Sequence, residues 1–188
     1  NPETFNMYQK HHVDIGDKQY DFAVYSVARY FSLVLENNPN MIDSLFVPVH
    51  CVTHITAAGS ILRDARKSFL HKGSYHKFKG YAYSQMHKIR TLEGNDKMAS
   101  KRKELIEKYG YDVKFAYHCV RLLDECEQIL TQGDLNLQRN REQLKAIRRG
   151  EWTLDQLQVW FSDREKHLET VYENSKLHNG PDYDSART

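Results

Sequence analysis

The spacing of apolar residues along the chain predicts a short β part followed by a long helical part. Apolar and polar residues alternate over residues 13–15 and 20–25, and the Gly-Asp-Lys segment at 16–18 between them is typical of a hairpin turn. After Ser26 the apolar residues recur at intervals of three and four, which is the period of an amphipathic helix. The pattern therefore predicts an α+β fold, with a small N-terminal β part and a mainly helical C-terminal region.

Breaks in the helical pattern divide it into segments. The first helix is predicted to end before Pro39, because a residue that precedes proline resists helical dihedral angles, and Asn40 is suited to cap a short segment over 41–46. Further helices are predicted over about 57–70, from 73 through 89, over 97–109, from 113 to near 133 and from 153 to about 174. Residues 94–96 are predicted to form a loop.

The helix predicted after Asp112 carries two distinct faces. One is an apolar stripe formed by Phe115, Cys119, Leu122, Cys126 and Ile129. The other is formed by Lys114, His118, Arg121 and Glu125, which follow one another at steps of four, three and four. A lysine, an imidazole and a guanidinium on one face suit a phosphate, which arginine can bind with two parallel hydrogen bonds. A solvated charged face beside a buried one is the commoner origin of such a pattern.

A second candidate face lies on the preceding long helix. Gly80 inside this helix costs about 1 kcal/mol relative to alanine, which indicates close approach of another backbone or of a ligand. Four residues share one face around it: Lys77, Tyr81, Ser84 and Lys88. Such a face could stack a base and hold a phosphate. A helix-crossing contact with solvated lysines explains the pattern equally well.

Two further motifs are candidates for contact with a nucleic acid or a metal. Arg148 and Arg149 precede a glycine turn and Trp152, and could contact a phosphate backbone, although cations that favour a helix dipole are the commoner explanation. Asp21 lies in a predicted strand, where a carboxylate near other carboxylates can hold Mg²⁺. On its own, an aspartate in a strand is more often an edge or turn residue.

Composition restricts the class of protein further. The 188 residues, 40% of them hydrophobic and 12% aromatic, are enough for one large domain with a proper core, or for one domain with a small extension. A net charge of +2 is too balanced to indicate nucleic-acid binding by the whole surface but leaves room for a local basic patch. No apolar run approaches the roughly 18–20 residues of a membrane span. Three cysteines without metal-type spacing favour a reducing, cytoplasmic location.

Five segments of the chain resemble, in order, one known family. They are residues 24–31 (VYSVARYF), 38–46 (NPNMIDSLF), 78–82 (FKGYA), 112–123 and 144–152 (LKAIRRGEW). Together they are similar to the predicted nucleotidyltransferases of the DNA polymerase β superfamily found in bacteria and phages, some of which are linked to RNA repair. The resemblance extends over nearly all of residues 20–177.

The resemblance implies transfer of a nucleotidyl group from an NTP to the end of an RNA, such as a tRNA, or to another acceptor. It also implies Mg²⁺ ions held by three carboxylates, which stabilise the attacking and leaving oxygens of an in-line displacement. Asp21 matches the third of these carboxylates, which implies a metal-binding and catalytic role. By the same analogy Lys114 and Arg121 contact phosphates, and His118 faces the nucleotide or supports it structurally.

The same resemblance divides the chain into the remainder of a nucleotidyltransferase-like core over 1–50, a helical region over 51–177 and a flexible tail over 178–188. The Gly-Ser turn and D-x-D of the superfamily have no counterpart before the strands, and the chain begins with Asn1. We therefore expect a shortened chain that is inactive alone. The alternatives are a non-catalytic nucleotide- or nucleic-acid-binding module on the same scaffold, and a helical partner-binding domain whose basic stripe faces solvent.

Overall fold

A β-hairpin leads into a mainly helical region in the computed structural model, which describes residues 8–91 and 100–181. Strand β1 (Tyr8–Ile15) pairs antiparallel with β2 (Lys18–Tyr25), and every residue of one strand lies opposite a residue of the other. Gly16 in the turn has a φ of 59°, in the left-handed region that glycine adopts without strain. The hairpin and the helices after it confirm the predicted α+β class.

Eight α-helices follow within the described residues. They are α1 (Val27–Leu35), α2 (Pro39–Phe46), α3 (Ala57–Asp64), α4 (Ser74–Thr91), α5 (Ser100–Tyr109), α6 (Val113–Gln132), α7 (Arg141–Arg148) and α8 (Leu154–Asn174). Two short 3₁₀ segments, Val49–Cys51 and Arg66–Phe69, lie on either side of α3. None of the helices in the described part combines the length and apolar character that crossing a bilayer requires.

Several predicted helix ends are confirmed because their capping interactions are local. Asp112 accepts hydrogen bonds from two backbone N–H groups at the start of α6, and Gly133, with a φ of 60°, ends the helix. At the start of α8 the side chains of Thr153 and Gln156 form the reciprocal capping box that their spacing predicts.

Other predicted boundaries are wrong. Asn38, not Asn40, caps α2: its side chain accepts a 3.1 Å hydrogen bond from the Asn40 N–H, and Pro39 occupies the first turn, where its missing N–H costs nothing. The helix predicted over 57–70 breaks at Ala65, beyond which the chain continues as a 3₁₀ segment. Helix α7 was not predicted as a separate element, and no side-chain cap marks its start.

Some predictions fall outside the described residues. These are the loop over 94–96, the first three residues of the helix predicted over 97–109, the first seven residues of the region 1–50 and the last seven residues of the tail over 178–188.

The core is centred on α4 and α6, which pack against each other more extensively than any other pair of helices in the described part. Phe78 and Ala82 of α4 are fully buried, and the predicted apolar stripe of α6 is confirmed, since all five of its residues are at least 93% buried. Helices α7 and α8 pack on other sides of α6. They contribute Ile147 and Leu157, which are also fully buried. Helix α6 is therefore the central element that positions its neighbours.

The hairpin lies outside this core. All residues of β1 and β2 are exposed except Tyr25, which is partly buried and packs against the helices. The alternation of side chains and the strand register place five exposed apolar residues on one face of the sheet: Val13, Ile15, Tyr20, Phe22 and Val24. A two-stranded sheet with an uncovered apolar face is marginally stable by itself. The helical region therefore holds the hairpin mainly through its last residue.

Gly80, inside α4, has surroundings that contradict the first of its two sequence-based interpretations, close approach of another backbone. A Cβ atom added at this position would meet nothing within 4 Å, so no described backbone approaches it. We expect Gly80→Ala to raise the free energy of unfolding by about 0.5–1 kcal/mol, because alanine loses less backbone entropy in a helix. Urea denaturation of both proteins measures the difference, with Ser84→Ala, another exposed site on the same helix, as the control. A loss of stability in Gly80→Ala would show that a neighbour contacts this position.

Candidate functional site

The N-terminal half of α6 and the end of α7 bring three cations around one imidazole. Burial is the largest cause that lowers the pKa of His118, and the positive charges of Arg121, Lys114 and Arg148 lower it further, to about 4. The carboxylate of Asp112 acts in the opposite direction and does not prevent this decrease. His118 is therefore neutral at pH 7, with one ring nitrogen able to donate a hydrogen bond and the other to accept one. We call Lys114, His118, Arg121 and Arg148 the α6 cluster.

Two of the three cations in the α6 cluster are not neutralised by the described part of the chain. Lys114 is exposed and has no carboxylate within ion-pair distance there. Arg148 is also exposed, and its guanidinium lies 5.7 Å from the centroid of the Tyr117 ring. A cation–π contact of this kind orients the guanidinium and leaves its charge in place. The cluster thus presents uncompensated positive charge, which favours an anionic ligand.

Arg121 differs from the other two cations because carboxylates on two helices hold it. Its Nη1 lies 3.2 Å from Oδ2 of Asp43 on α2, and its Nε lies 3.6 Å from Oε1 of Glu125 on α6. The side chains of Asp43 and Glu125 are only 14% and 4% exposed. Arg121 therefore links α6 to α2 as well as contributing to the α6 cluster.

The two acids beside Arg121 are both displaced toward their protonated forms. Burial raises the pKa of Asp43 to about 6, against the opposing effect of Arg121. Burial, together with repulsion from Asp43, also raises the pKa of Glu125 well above its ordinary value. One oxygen of each carboxylate, Oδ1 of Asp43 and Oε2 of Glu125, has no hydrogen-bond partner among the described residues. The guanidinium of Arg121 is therefore the shared cationic partner of two buried acids.

The second predicted face, on α4, lies beside α1 and α2. The Tyr81 hydroxyl accepts a 3.0 Å hydrogen bond from the side-chain amide of Asn38, and Lys77 pairs with Glu36 at 3.0 Å. A cavity of about 370 Å³ is lined here by His76, Lys77, Gly80, Tyr81 and Ser84. The absence of a side chain at Gly80 thus opens a shallow depression beside an aromatic ring and a lysine, instead of admitting another helix.

Helix α2 connects this α4 face to the α6 cluster. Asn38 at its start contacts Tyr81, and Asp43 within it contacts Arg121. Lys88, further along α4, reaches the start of α6, where its ammonium lies 5.5 Å from the centroid of the Phe115 ring. The predicted face is therefore divided: its early residues lie at α1 and α2, and Lys88 lies over Phe115 at the start of α6.

Asp21 and Arg149 lie in different surroundings. Asp21 is exposed on β2 and pairs with His12, the residue opposite it on β1. Arg149 pairs with Glu151 and is not among the charges that act on His118, unlike its neighbour Arg148. Within the described residues no group of three or more His, Cys, Asp or Glu side chains is arranged to hold a metal ion. One carboxylate beside one imidazole does not provide the three-carboxylate set that the resemblance implies.

An uncharged cavity of about 640 Å³ separates the hairpin from α2 and α3. Its lining consists of Ala23, Tyr25, Val27, Tyr30, Phe31, Met41, Ser44, Thr56, Ala58, Gly59 and Leu62. The hydroxyl groups of Tyr30 and Ser44 lie 2.7 Å apart and form a hydrogen bond with each other. This cavity suits an apolar or aromatic group and offers no cation to a phosphate.

Sequence reasoning missed Asp43 and Tyr117. Asp43 stands between Ile42 and Leu45, both nearly fully buried, and an acid within such a short apolar helix is a signal that it has a buried partner. Tyr117 precedes His118 and gave no signal, since its contact with Arg148 depends on how α7 packs against α6.

The chain belongs to the RNA repair pathway DNA polymerase beta family (RlaP), which matches residues 7–184. This match confirms the resemblance inferred from the five segments, and membership indicates a nucleotidyltransferase-like role in RNA repair. Families of this kind generally use a divalent metal ion. Comparison with curated proteins and with solved structures gives no match.

Proposed function

We propose that this chain serves the transfer of a nucleotidyl group from an NTP to the end of an RNA, and that the α6 cluster binds phosphates of the nucleotide or of the RNA. The observation that carries the proposal is that Lys114 and Arg121 lie about one turn before and after His118 on α6, while the guanidinium of Arg148 lies 5.7 Å from the ring of the adjacent Tyr117. Lys114 and Arg148 can form charge-assisted hydrogen bonds to phosphate oxygens, and His118 can donate a neutral one. Family membership supports nucleotides and RNA as the ligands.

Arg121 has a different part in this proposal. Because two carboxylates already hold it, we propose that it sets the position of α6 relative to α2 and adds positive charge near the phosphates. Full bidentate binding of a phosphate by Arg121 would require it to leave Asp43. Lys114 and Arg148 are free of this requirement, so most of the direct phosphate contact is assigned to them.

The remaining predicted residues enter the proposal with separate roles. Tyr81 and Lys77 line the depression beside Gly80, which suits a base stacked on the phenol ring. Arg149, which pairs with Glu151, would contact an RNA backbone only at the edge of the surface that the α6 cluster forms. Asp21 is proposed as a Mg²⁺ ligand and catalytic carboxylate on the resemblance alone. The α6 cluster, not Asp21, therefore carries the proposal.

Calorimetric titration with an NTP and with a single-stranded RNA tests this function. We expect Lys114→Ala/Arg148→Ala to weaken NTP binding about tenfold or more, because two charge-assisted contacts are lost. For RNA, the same variant should reduce the slope of log K against log salt by about 1–2, since fewer counterions are released. The matched control is Lys166→Ala/Arg139→Ala, which removes the same charge from exposed positions elsewhere. Equal binding by both double variants would contradict the proposal.

The second candidate function is a nucleotide- or RNA-binding module without catalysis. It is favoured because, within the described residues, Asp21 belongs to no group of three or more His, Cys, Asp or Glu side chains arranged to hold a metal ion. Transfer of label from an α-labelled NTP to RNA tests for the transferase. Label transfer that Lys114→Ala/Arg148→Ala lowers would support the transferase and overturn the expectation that this chain is inactive alone. Binding without transfer would agree with the module and with that expectation alike.

A further inference from the structure

A groove between the end of α7 and the first turns of α8 differs in character from the α6 cluster. It has a volume of about 630 Å³ and is lined by Glu151, Trp152, Asp155, Gln156, Val159, Trp160 and Asp163. Its two indole rings lie 6.0 Å apart between centroids, at an interplanar angle of 65°. Val159 between them in the sequence is 62% exposed. The groove therefore combines flat aromatic surface with an uncovered aliphatic side chain.

The charge of this groove has a single sign. Its lining contains three carboxylates and one amide and no lysine, arginine or histidine. Glu151 pairs with Arg149, whereas Asp155 and Asp163 have no cation within ion-pair distance among the described residues. Asp155 lies in the first turn of α8, where the helix dipole stabilises an acidic side chain and so explains its presence. Asp163 lies two turns further on, and the dipole does not account for it.

An internal contact shows what the indoles of this groove can bind. The guanidinium of Arg164 lies 5.1 Å from the centroid of the Trp160 ring, while Asp124 and Glu127 hold its nitrogens. Guanidinium and ammonium groups are attracted to the face of an indole, and a neighbouring carboxylate strengthens the attraction. The lining of the groove contains both elements, two indole rings and the carboxylates of Asp155 and Asp163.

We propose that this groove is a docking surface for a lysine- or arginine-rich segment of a partner protein. The cationic side chains of that segment lie against Trp152 and Trp160, and their charged ends pair with Asp155 and Asp163. Charge complementarity selects this occupant, because the carboxylates of Asp155 and Asp163, unpaired within the described part of the chain, repel the phosphates of RNA and the acids of an acidic peptide. The groove shares no residue with the α6 cluster, so the inference is independent of the proposed function.

Intrinsic fluorescence provides a specific test, because Trp152 and Trp160 are the only two tryptophans of the chain. The full chain is titrated with a synthetic peptide of alternating arginine and serine, and the heat of binding is measured in parallel. The comparison ligands are the same peptide with glutamate in place of arginine, and a single-stranded RNA. We expect a saturable change in emission with the arginine peptide alone.

Asp155→Asn/Asp163→Asn is expected to weaken binding of the arginine peptide about five- to tenfold, since two surface charge pairs are lost. The matched control, Asp64→Asn/Glu173→Gln, removes two exposed acids from outside the groove and should bind as the unaltered chain does. The proposal is overturned by absence of both heat and emission change with the arginine peptide, by an equal emission change with the glutamate peptide or RNA, or by equal weakening in the control variant.

Discussion

Arg121→Ala is expected to lower the free energy of unfolding by about 3–5 kcal/mol at pH 7, because removing one partner leaves buried acids without their cation. The remaining carboxylates of Asp43 and Glu125 are 14% and 4% exposed and already repel each other. Urea denaturation measures the change. Arg139→Ala, an exposed arginine outside the cluster, serves as the control and should change stability little.

The pH dependence of stability identifies the acids as the cause. The pKa of Asp43 is raised in the folded chain from 3.8 to about 6, so the folded state binds a proton that the unfolded state releases between these values. The contribution of Asp43 to the free energy of unfolding is therefore largest below pH 4, and it decreases as the pH rises through about 6. Asp43→Asn should remove this part of the decrease. Asp43→Asn should also reduce the loss in the free energy of unfolding that Arg121→Ala causes. If the losses caused by the two substitutions simply add in the double variant, the interpretation is contradicted.

Asn37→Ala is expected to lower the free energy of unfolding by about 3 kcal/mol, because several buried hydrogen bonds meet at this side chain. Its amide nitrogen donates to the carbonyl groups of Val34 at 3.1 Å and Phe69 at 2.7 Å. Its Oδ1 accepts from the Ser74 hydroxyl at 2.5 Å and from the His71 N–H at 3.3 Å. The side chain thus ties the end of α1 to the start of α4.

The backbone of Asn37 allows its side-chain contribution to be separated from strain. Its φ of 52° lies in the left-handed region, which asparagine tolerates better than alanine does. Asn37→Gly loses the same hydrogen bonds but avoids this strain, so we expect it to cost about 1 kcal/mol less than Asn37→Ala. Thermal or urea unfolding of both variants measures the difference. Equal stability of the two would show that the backbone at this position is not strained.

The features of this structure that the sequence predicts correctly are those determined by interactions between residues close together in the sequence. Asp112 and Gly133 fix the two ends of α6 through contacts within a few residues. Helical spacing alone placed Lys114, His118 and Arg121 on one face. By contrast, nothing within a few residues of Ala65 marks the end of α3, where a 3₁₀ segment replaces the predicted helix.

The rest of the candidate site depends on packing between distant segments. Arg148 joins the α6 cluster because α7 packs against α6, and Asp43 meets Arg121 through an ion pair between α2 and α6, which lie far apart in the sequence. Periodicity gives the face on which a residue lies, but not the neighbour that covers it. That is why a glycine in the helical pattern indicates close approach of a backbone or of a ligand at Gly80 without deciding between them, and the structure shows no backbone there.

The position of the three cysteines makes opening of the core measurable without an added probe. Cys51 is exposed, whereas Cys119 and Cys126 face the interior from α6. Burial raises the pKa of both interior thiols to about 12, so they hold almost no reactive thiolate while the fold is intact. A thiol reagent therefore modifies Cys51 at once and the other two only when α6 separates from its neighbours. The delay between the two phases reports how often the centre of the molecule opens.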